Sequence, residues 1–381
     1  MATLPDAADI SNRNNPRQGN CGCMGKVCER TRIPAGLLVS FSMKETKRPT
    51  IIDVAHAANV GASTVSRHVR GGKSVSPEVA RRIEIAIAQL GYEPNTLARS
   101  LRVGRTQTLG VLFPHVNNVF FGNAIRTIQT EARINGFTVM LLTHQEEAKL
   151  QQEQLASLKR SQVDGVILVP AAETNVAQVR ALLGDTPVVA FDRSLGSAID
   201  SVLLDNYRAA REATEHLLGH RHSRIVAVNA PYKLQPLQSR FKGYKEAMEA
   251  AGKHAETIVW HESEQLRKEL CAALQKKRGP ATAILSMSYS VTLAILSTLR
   301  DSHIALSEIG FIGIDDMEFA NFIHPPLTTL AQPAEQFARL AFRQLLERTS
   351  GSKEKPVHVV IAGSMMIRSS CGCKSASSRR L

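Results

Sequence analysis

The sequence has no apolar run near the ~18–20 residues that a membrane-spanning helix needs. Its longest early stretch, Ile33 to Met43, is short and follows a mixed polar segment, so neither a spanning helix nor a secretory leader is read. Cysteine is scarce: six in 381 residues, five of them (Cys21, Cys23, Cys28, Cys371 and Cys373) near the two ends. That is no disulfide framework, and it fits a reducing, cytoplasmic compartment. Catalytic signatures are missing as well. No nucleophile elbow, phosphate loop or zinc-protease motif occurs, and the twelve histidines form no spaced catalytic set, so neither an enzyme nor a cofactor is expected.

What is present is length and positive charge. At roughly 100–200 residues per domain, 381 residues imply two or three domains, and 43% hydrophobic content excludes collagen-like and disordered classes. The formal net charge is +13, and it is not spread evenly. Residues 44–106 hold eleven Lys and Arg against five acids, a net +6. Residues 1–43 carry +2, residues 366–381 carry +4 with no acid at all, and the long remainder carries only +1. A small basic head on a nearly neutral body suits a polyanion reader joined to something else.

The order of residues in the head points to three short helices. Thr50 caps Ile51–Ala58 with Asp53 at N3, a capping-box pattern. Asn59-Val60-Gly61 is a turn of helix-turn-helix length. Ala62 to Val69 is a second helix, with Ser63, Thr64 and Ser66 around a buried Val65 and then Arg67. Small residues let a helix approach base edges, and an arginine reaches guanine O6 and N7 together. Ser76 and Pro77 open a third helix with Val79, Ile83, Ile87 and Leu90 on its apolar face, stopped by Gly91. Beyond Pro94, Asn95 caps a two-turn segment too short to fold alone, bearing Leu97, Leu101, Arg99 and Arg102. Such a segment suits either a leucine wedge in a minor groove with arginines on phosphates, or a plain linker helix.

Residues 50–106 resemble the DNA-binding head and hinge of the lactose-repressor (LacI/GalR) family of bacterial transcription regulators. The match runs through Thr50-Ile51-Ile52-Asp53-Val54-Ala55, Val60, Ser63-Thr64-Val65-Ser66-Arg67, Val75-Ser76-Pro77-Glu78, Leu90-Gly91-Tyr92, Pro94-Asn95 and Ala98-Arg99-Ser100-Leu101. The resemblance implies that Ala62, Ser63 and Arg67 read bases, that Thr64 and Tyr92 hold phosphates, and that Leu101 is an intercalating wedge. Thr50, Asn95 and Arg102 complete the expected DNA-facing set. Two positions depart from the family: Gly61 replaces its usual serine cap, and Arg70 its usual asparagine.

From Thr106 short apolar runs alternate with amphipathic stretches. Strands are expected at 108–113, 138–142, 165–169, 188–191, 202–204, 225–228, 258–260, 283–285 and 310–314, and helices include 125–135 and 146–160. This α/β body resembles the family's effector domain, a periplasmic-binding-protein-like pair of doubly wound lobes around a cleft. Ligands of such sheets bind at the carboxyl ends of strands. The expected effector-binding residues are therefore Asp192, Arg193 and Asp315, with Arg240 matching the family's ligand-binding arginine and Phe120-Phe121 as an aromatic wall. For each, the alternative is sheet capping or core packing. Asp205 is assigned to a turn, His220-Arg221-His222 to a structural turn, and Trp260, the single tryptophan, is left out of the site.

The expected layout is a disordered extension over 1–47, a helix-turn-helix head over 48–93, a hinge over 94–106, a ligand-binding and dimerisation body over 107–370 and a basic tail over 371–381. Met43 also offers an alternative start that would leave residues 1–42 outside the working protein. The function this implies is a homodimeric, cytoplasmic, nucleoid-associated regulator, a repressor, binding a pseudo-palindromic duplex DNA operator under control of a small-molecule effector such as a sugar. Two rivals stay open. A solute-binding protein would explain the body but not the head. A metal- or redox-responsive regulator would use Cys21, Cys23, Cys28, Cys371 and Cys373, but cysteines in unsupported tails favour no metal site.

Overall fold

The computed structural model describes residues 49–69, 75–92, 105–231 and 233–373. They form two compact units divided at Pro94, a head and a body.

The head consists of α1 (Ile51–Ala57), α2 (Ala62–Val69) and α3 (Pro77–Leu90). The Thr50 hydroxyl accepts from the Asp53 amide, and the Asp53 carboxylate accepts from the Thr50 amide at 2.7 Å, closing the capping box. Asn59 takes φ 52°, a left-handed turn that asparagine tolerates, and the Gly61 carbonyl accepts from the Thr64 and Val65 amides to start α2 without a side-chain cap. Ser76 caps α3, and Gly91 ends it at φ 60°. Val54, Ala55, Ala58, Val65, Ile83 and Ala86 make the core, a very small one. Leu90, expected on the buried face, is instead exposed at the last position of α3, while Ile87 one turn earlier packs against the core.

The body has two sheets of six strands. The first lobe comprises β1 (Thr108–Phe113), α4 (Val119–Ile134), β2 (Thr138–Thr143), α5 (Ala148–Arg160), β3 (Gly165–Leu168), α6 (Val176–Leu183), β4 (Val188–Phe191) and β5 (Asp200–Leu204). The chain then crosses to the second lobe: α7 (Asn206–Gly219), β6 (Ile225–Asn229), α8 (Gln235–Ala250), β7 (Glu256–Val259), α9 (Ser263–Leu274), β8 (Ala283–Ser286), α10 (Tyr289–Asp301), β9 (Gly310–Ile314) and β10 (Thr328–Ala331). It returns through α11 (Ala334–Thr349) to β11 (His358–Ile361), which joins the first sheet, and ends in β12 (Ser364–Met366) on the second. The strand orders are β11-β5-β4-β3-β1-β2 and β12-β10-β9-β8-β6-β7, and only β12 runs antiparallel to its neighbour.

Both sheets are covered on two faces, which is why their central strands read as continuous apolar runs. In β1, Leu109, Val111 and Phe113 join the core under α4 and α11, while Leu112 turns to Leu155 and Leu158 of α5 and Val179 of α6. The helix expected over 125–135 begins earlier, at Val119, where Asn118 caps it by accepting from the Phe121 amide at 3.1 Å. In the second lobe α7 and α8 approach closely at Gly243. A Cβ there would stand 2.2 Å from the Tyr207 carbonyl oxygen, so only glycine fits without moving a helix. Tyr244, fully buried, pins α8 to the sheet: its hydroxyl bonds the Ile225 carbonyl at 2.8 Å and accepts from the Glu256 amide at 2.9 Å.

Candidate ligand cleft and nucleic-acid interface

In the head, burial of Val65 fixes which face of α2 points outward. Ala62, Ser63 and Arg67 are exposed, and Thr64 is half-buried. Tyr92 packs half-buried against the head core. Thr50 is exposed, but its hydroxyl is engaged with Asp53. Asn95, Leu101 and Arg102, with Arg70, lie outside the described residues. The structure thus presents the expected base-reading side chains together on one short helix, as a helix in a major groove requires.

In the body a cavity of 1030 Å³ is lined by residues of both lobes. Phe120, Phe121, Asp192, Arg193, Arg240 and Asp315 all border it. Asp192 and Asp315 sit at equivalent places, one residue beyond β4 and β9. Each takes a left-handed backbone, φ 65° and 67°, while its amide still donates to the neighbouring strand, to Val202 and Leu330, at 2.9 Å. Non-glycine residues held in that region are rare and concentrate at functional sites.

The charges are held in a network. Arg193 donates through both terminal nitrogens to Glu146, at 2.8 and 2.6 Å, and to the Pro170 carbonyl at 2.7 Å, with Asp192 3.5 Å from its Nε. Burial opposes the Arg193 charge, but Glu146 and then Asp192 more than offset it and raise its pKa. Glu146 is itself placed by His144, whose Nδ1 accepts from the Glu146 amide at 3.2 Å and whose Nε2 bonds the Val169 carbonyl at 2.9 Å. That pair of bonds assigns the proton to Nε2, and burial lowers the His144 pKa, keeping the ring neutral. Across the cleft Arg240 donates to Asn206 Oδ1 at 2.7 Å and to the Met287 carbonyl at 2.8 Å. Burial lowers its pKa against the attraction of Asp192 and Asp315. Burial likewise raises the carboxyl of Asp192 and pushes that of Asp315 up to about 6, although Gln332 donates to the latter at 2.7 Å.

The phenylalanines have a double role. Phe120 and Phe121 belong to a cluster with Phe113, Phe191 and Phe337, ring centroids 5.0–5.6 Å apart, and, though buried, also border the cavity. Trp260, left out of the expected site, is in fact on its wall, because β7 ends one residue earlier and turns the indole into the cleft. Its Nε1 is buried without a partner. So is Gln332 Oε1, another group on this wall, whereas Arg193 Nε keeps only its long contact with Asp192. Unpaired buried donors and acceptors are costly, and two on the wall of one cavity are free to bond a molecule held there. Asp205, assigned to a turn, caps α7 by accepting from the Arg208 amide at 3.0 Å.

Comparison with known proteins settles what kind of molecule this is. Residues 50–95 match the family described as bacterial regulatory proteins, lacI family, and residues 106–367 match the periplasmic binding proteins and sugar binding domain of LacI family. The chain belongs to the LacI family of transcription regulators. It is a DNA-binding regulator with a periplasmic-binding-protein-like body, and not an enzyme. The HTH-type transcriptional regulator CelR of Thermobifida fusca is 30% identical over 341 residues, 86% of this chain and 100% of that one. The ribose operon repressor of Bacillus subtilis is 31% identical over 303 residues, 78% of this chain and 90% of its own. Among solved structures, a CelR–cellobiose complex aligns with TM-score 0.61 at 28% identity, covering 85% of this chain and 100% of that one. The lac repressor dimer bound to operator and an anti-inducer aligns with TM-score 0.75 at 22% identity, covering 85% and 99%, and shares the fold. No helix among the described residues is long and apolar enough to cross a membrane.

Proposed function

We propose that this regulator is a homodimeric repressor, acting at the nucleoid of a bacterial cytoplasm, whose operator affinity is set by a sugar or sugar derivative in the cleft. The observation that carries the effector class is the convergence of Asp192, Arg193, Arg240 and Asp315 with the unpaired Trp260 Nε1 and Gln332 Oε1 on one 1030 Å³ cavity. Adjacent hydroxyls each donate and accept, so they need acids and guanidinium groups side by side, and an indole face covers the apolar side of a pyranose or furanose ring. Relatives point the same way: one is solved with cellobiose, and others are ribose operon repressors. The effector acts by binding more tightly to one of two states, the operator-competent or the released one.

A thermal-shift screen of sugars, sugar acids and nucleobases on the full-length protein tests this. A sugar at 100 times its Kd adds about 2.7 kcal/mol of stability, and the same compound must change operator affinity. Stabilisation by nucleobases and by no sugar would overturn the effector class. On the DNA side Ala62, Ser63 and Arg67 read bases, while Thr64, Tyr92 and the hinge residue Arg102 hold phosphates and Leu101 wedges the minor groove. Arg67→Ala then relaxes sequence preference in a selection experiment by about 1–3 kcal/mol at one base pair. Arg102→Ala weakens all sequences alike and flattens the salt dependence.

A further inference from the structure

The two histidines at the end of α7 and the two cysteines of the last described turn pair across 153 to 157 residues of sequence and are adjacent in space. His216 and His220 lie one turn apart, the second capping the helix. Cys371 and Cys373 follow β12 in a turn closed by the Gly372 amide on the Ser369 carbonyl at 3.1 Å. Cys371 is fully buried. The tail expected from residue 371 onward is therefore not free at its start, and these two cysteines are not unsupported: Ser370 ties the turn to the sheet, its carbonyl accepting from the Phe311 amide at 2.7 Å and its hydroxyl from the Thr328 amide at 2.8 Å.

We propose that His216, His220, Cys371 and Cys373 form a tetrahedral site for one zinc ion, which clips the C-terminal segment to α7. The ligand atoms all lie within 4.8 Å of one another. His216 Nε2 is 3.2 Å from Cys371 Sγ and 3.6 Å from Cys373 Sγ, and His220 Nε2 is 3.1 Å from Cys373 Sγ. A tetrahedral zinc with Zn–S near 2.3 Å and Zn–N near 2.0–2.1 Å has N···S edges of about 3.5 Å, so the four atoms stand close to where such an ion would hold them. Two thiolates and two imidazoles in a tetrahedron select zinc over oxygen-loving cations, and a set this tight has room for one ion and not for a two-iron cluster.

Three surrounding features suit a metal more than a chance contact. Gly372 takes φ 95°, which lets two cysteines separated by one residue aim at the same imidazole pair. The Thr328 hydroxyl accepts from the Arg368 amide at 2.9 Å, which leaves its own proton for Cys371 Sγ at 3.2 Å, the outer hydrogen bond that steadies a metal-bound thiolate. The carbonyl end of α7 is the negative end of the helix dipole, favourable to a cation. Binding would displace the two thiol protons to solvent and leave both histidines neutral.

Zinc content of the full-length protein, purified without added metal or an affinity tag that binds metal, is measured alongside the cobalt spectrum of protein stripped and reloaded with Co²⁺. The expected result is one zinc per chain and cobalt bands of a tetrahedral thiolate site. Cys373→Ser and His220→Ala, at the two more exposed ligands, each lose the ion while the far-ultraviolet spectrum stays native. A variant with Cys21, Cys23, Cys28 and Cys271 all changed to serine keeps it. Zinc below 0.2 per chain in wild type with no thiolate–cobalt band after reloading would overturn the site, as would retention of the ion by Cys373→Ser or its loss from the four-serine variant. The operator and effector assays read the proposed function separately from metal content.

Discussion

Asp192 and Asp315 leave β4 and β9 with the same left-handed backbone and the same amide bond to a neighbouring strand, yet they keep different company. Asp192 has Arg193 beside it, and that guanidinium is already clamped by Glu146 and the Pro170 carbonyl. Asp315 has a neutral partner, Gln332, and shares the attraction of Arg240 with Asp192. The first lobe therefore brings a finished ionic network to the cleft, while the second brings a carboxyl whose charge depends on its surroundings. Equal geometry at two strand ends does not make equal chemistry; the residues one sequence step or one helix away decide it.

The strongest way to break that contrast is to remove the cation both acids share. Arg240→Met should cost about 3–5 kcal/mol in urea unfolding at pH 8, because it strands buried carboxylates, and should abolish the ligand-induced thermal shift. The loss should be smaller at pH 5, where protonation of Asp315 relieves part of it. An equal loss at both pH values would show that Arg240 matters through packing alone.

Much of this architecture could be read from the chain beforehand. The strands at 108–113, 188–191 and 310–314 emerge with the expected bounds, since strands buried on both faces spell themselves out as apolar runs. The head was equally legible: Thr50, Ser76, Pro77 and Gly91 are local signals that act within four residues of themselves. β10, β11 and β12 were not, because they owe their strand character to edges supplied by distant residues. In the site, strand-end reasoning finds Asp192 and Asp315. It does not find Glu146 or Gln332, whose roles arise from partners 47 and 17 residues away. Trp260 was missed because its neighbours Val259 and His261 follow no pattern, and only the end of β7 turns it into the cavity.

A middle-sized effect sharpens the comparison through pH. Burial raises the folded-state pKa of Asp315 to about 6 from 3.8. Between those values the native state holds a proton that the unfolded chain has released, so the contribution of this group to stability falls as pH rises and is fully unfavourable above about 6. Asp315→Asn should therefore gain on the order of 1–3 kcal/mol over wild type at pH 7–8, with the gain vanishing near pH 4. A pH-independent difference in unfolding free energy would remove the distinction drawn for this strand end. The smallest effect concerns the wall. Trp260→Phe should leave unfolding within about 0.5 kcal/mol, since the lost N–H has no partner in the protein. It should weaken effector binding about 2- to 10-fold, the worth of one neutral hydrogen bond. Unchanged affinity in a titration would show that the indole contributes surface only.

The close pass of α7 and α8 at Gly243 sets a tolerance for the whole recognition surface. α7 carries Asn206 and α8 carries Arg240, and the 2.7 Å bond between them holds the arginine that borders the cleft. A methyl group at position 243 would wedge the pair apart, and that bond would lengthen well before the lobe lost its fold. The position of Arg240 on the cleft wall thus depends on a hydrogen atom standing where nineteen other amino acids would place carbon, at a residue that does not line the cavity.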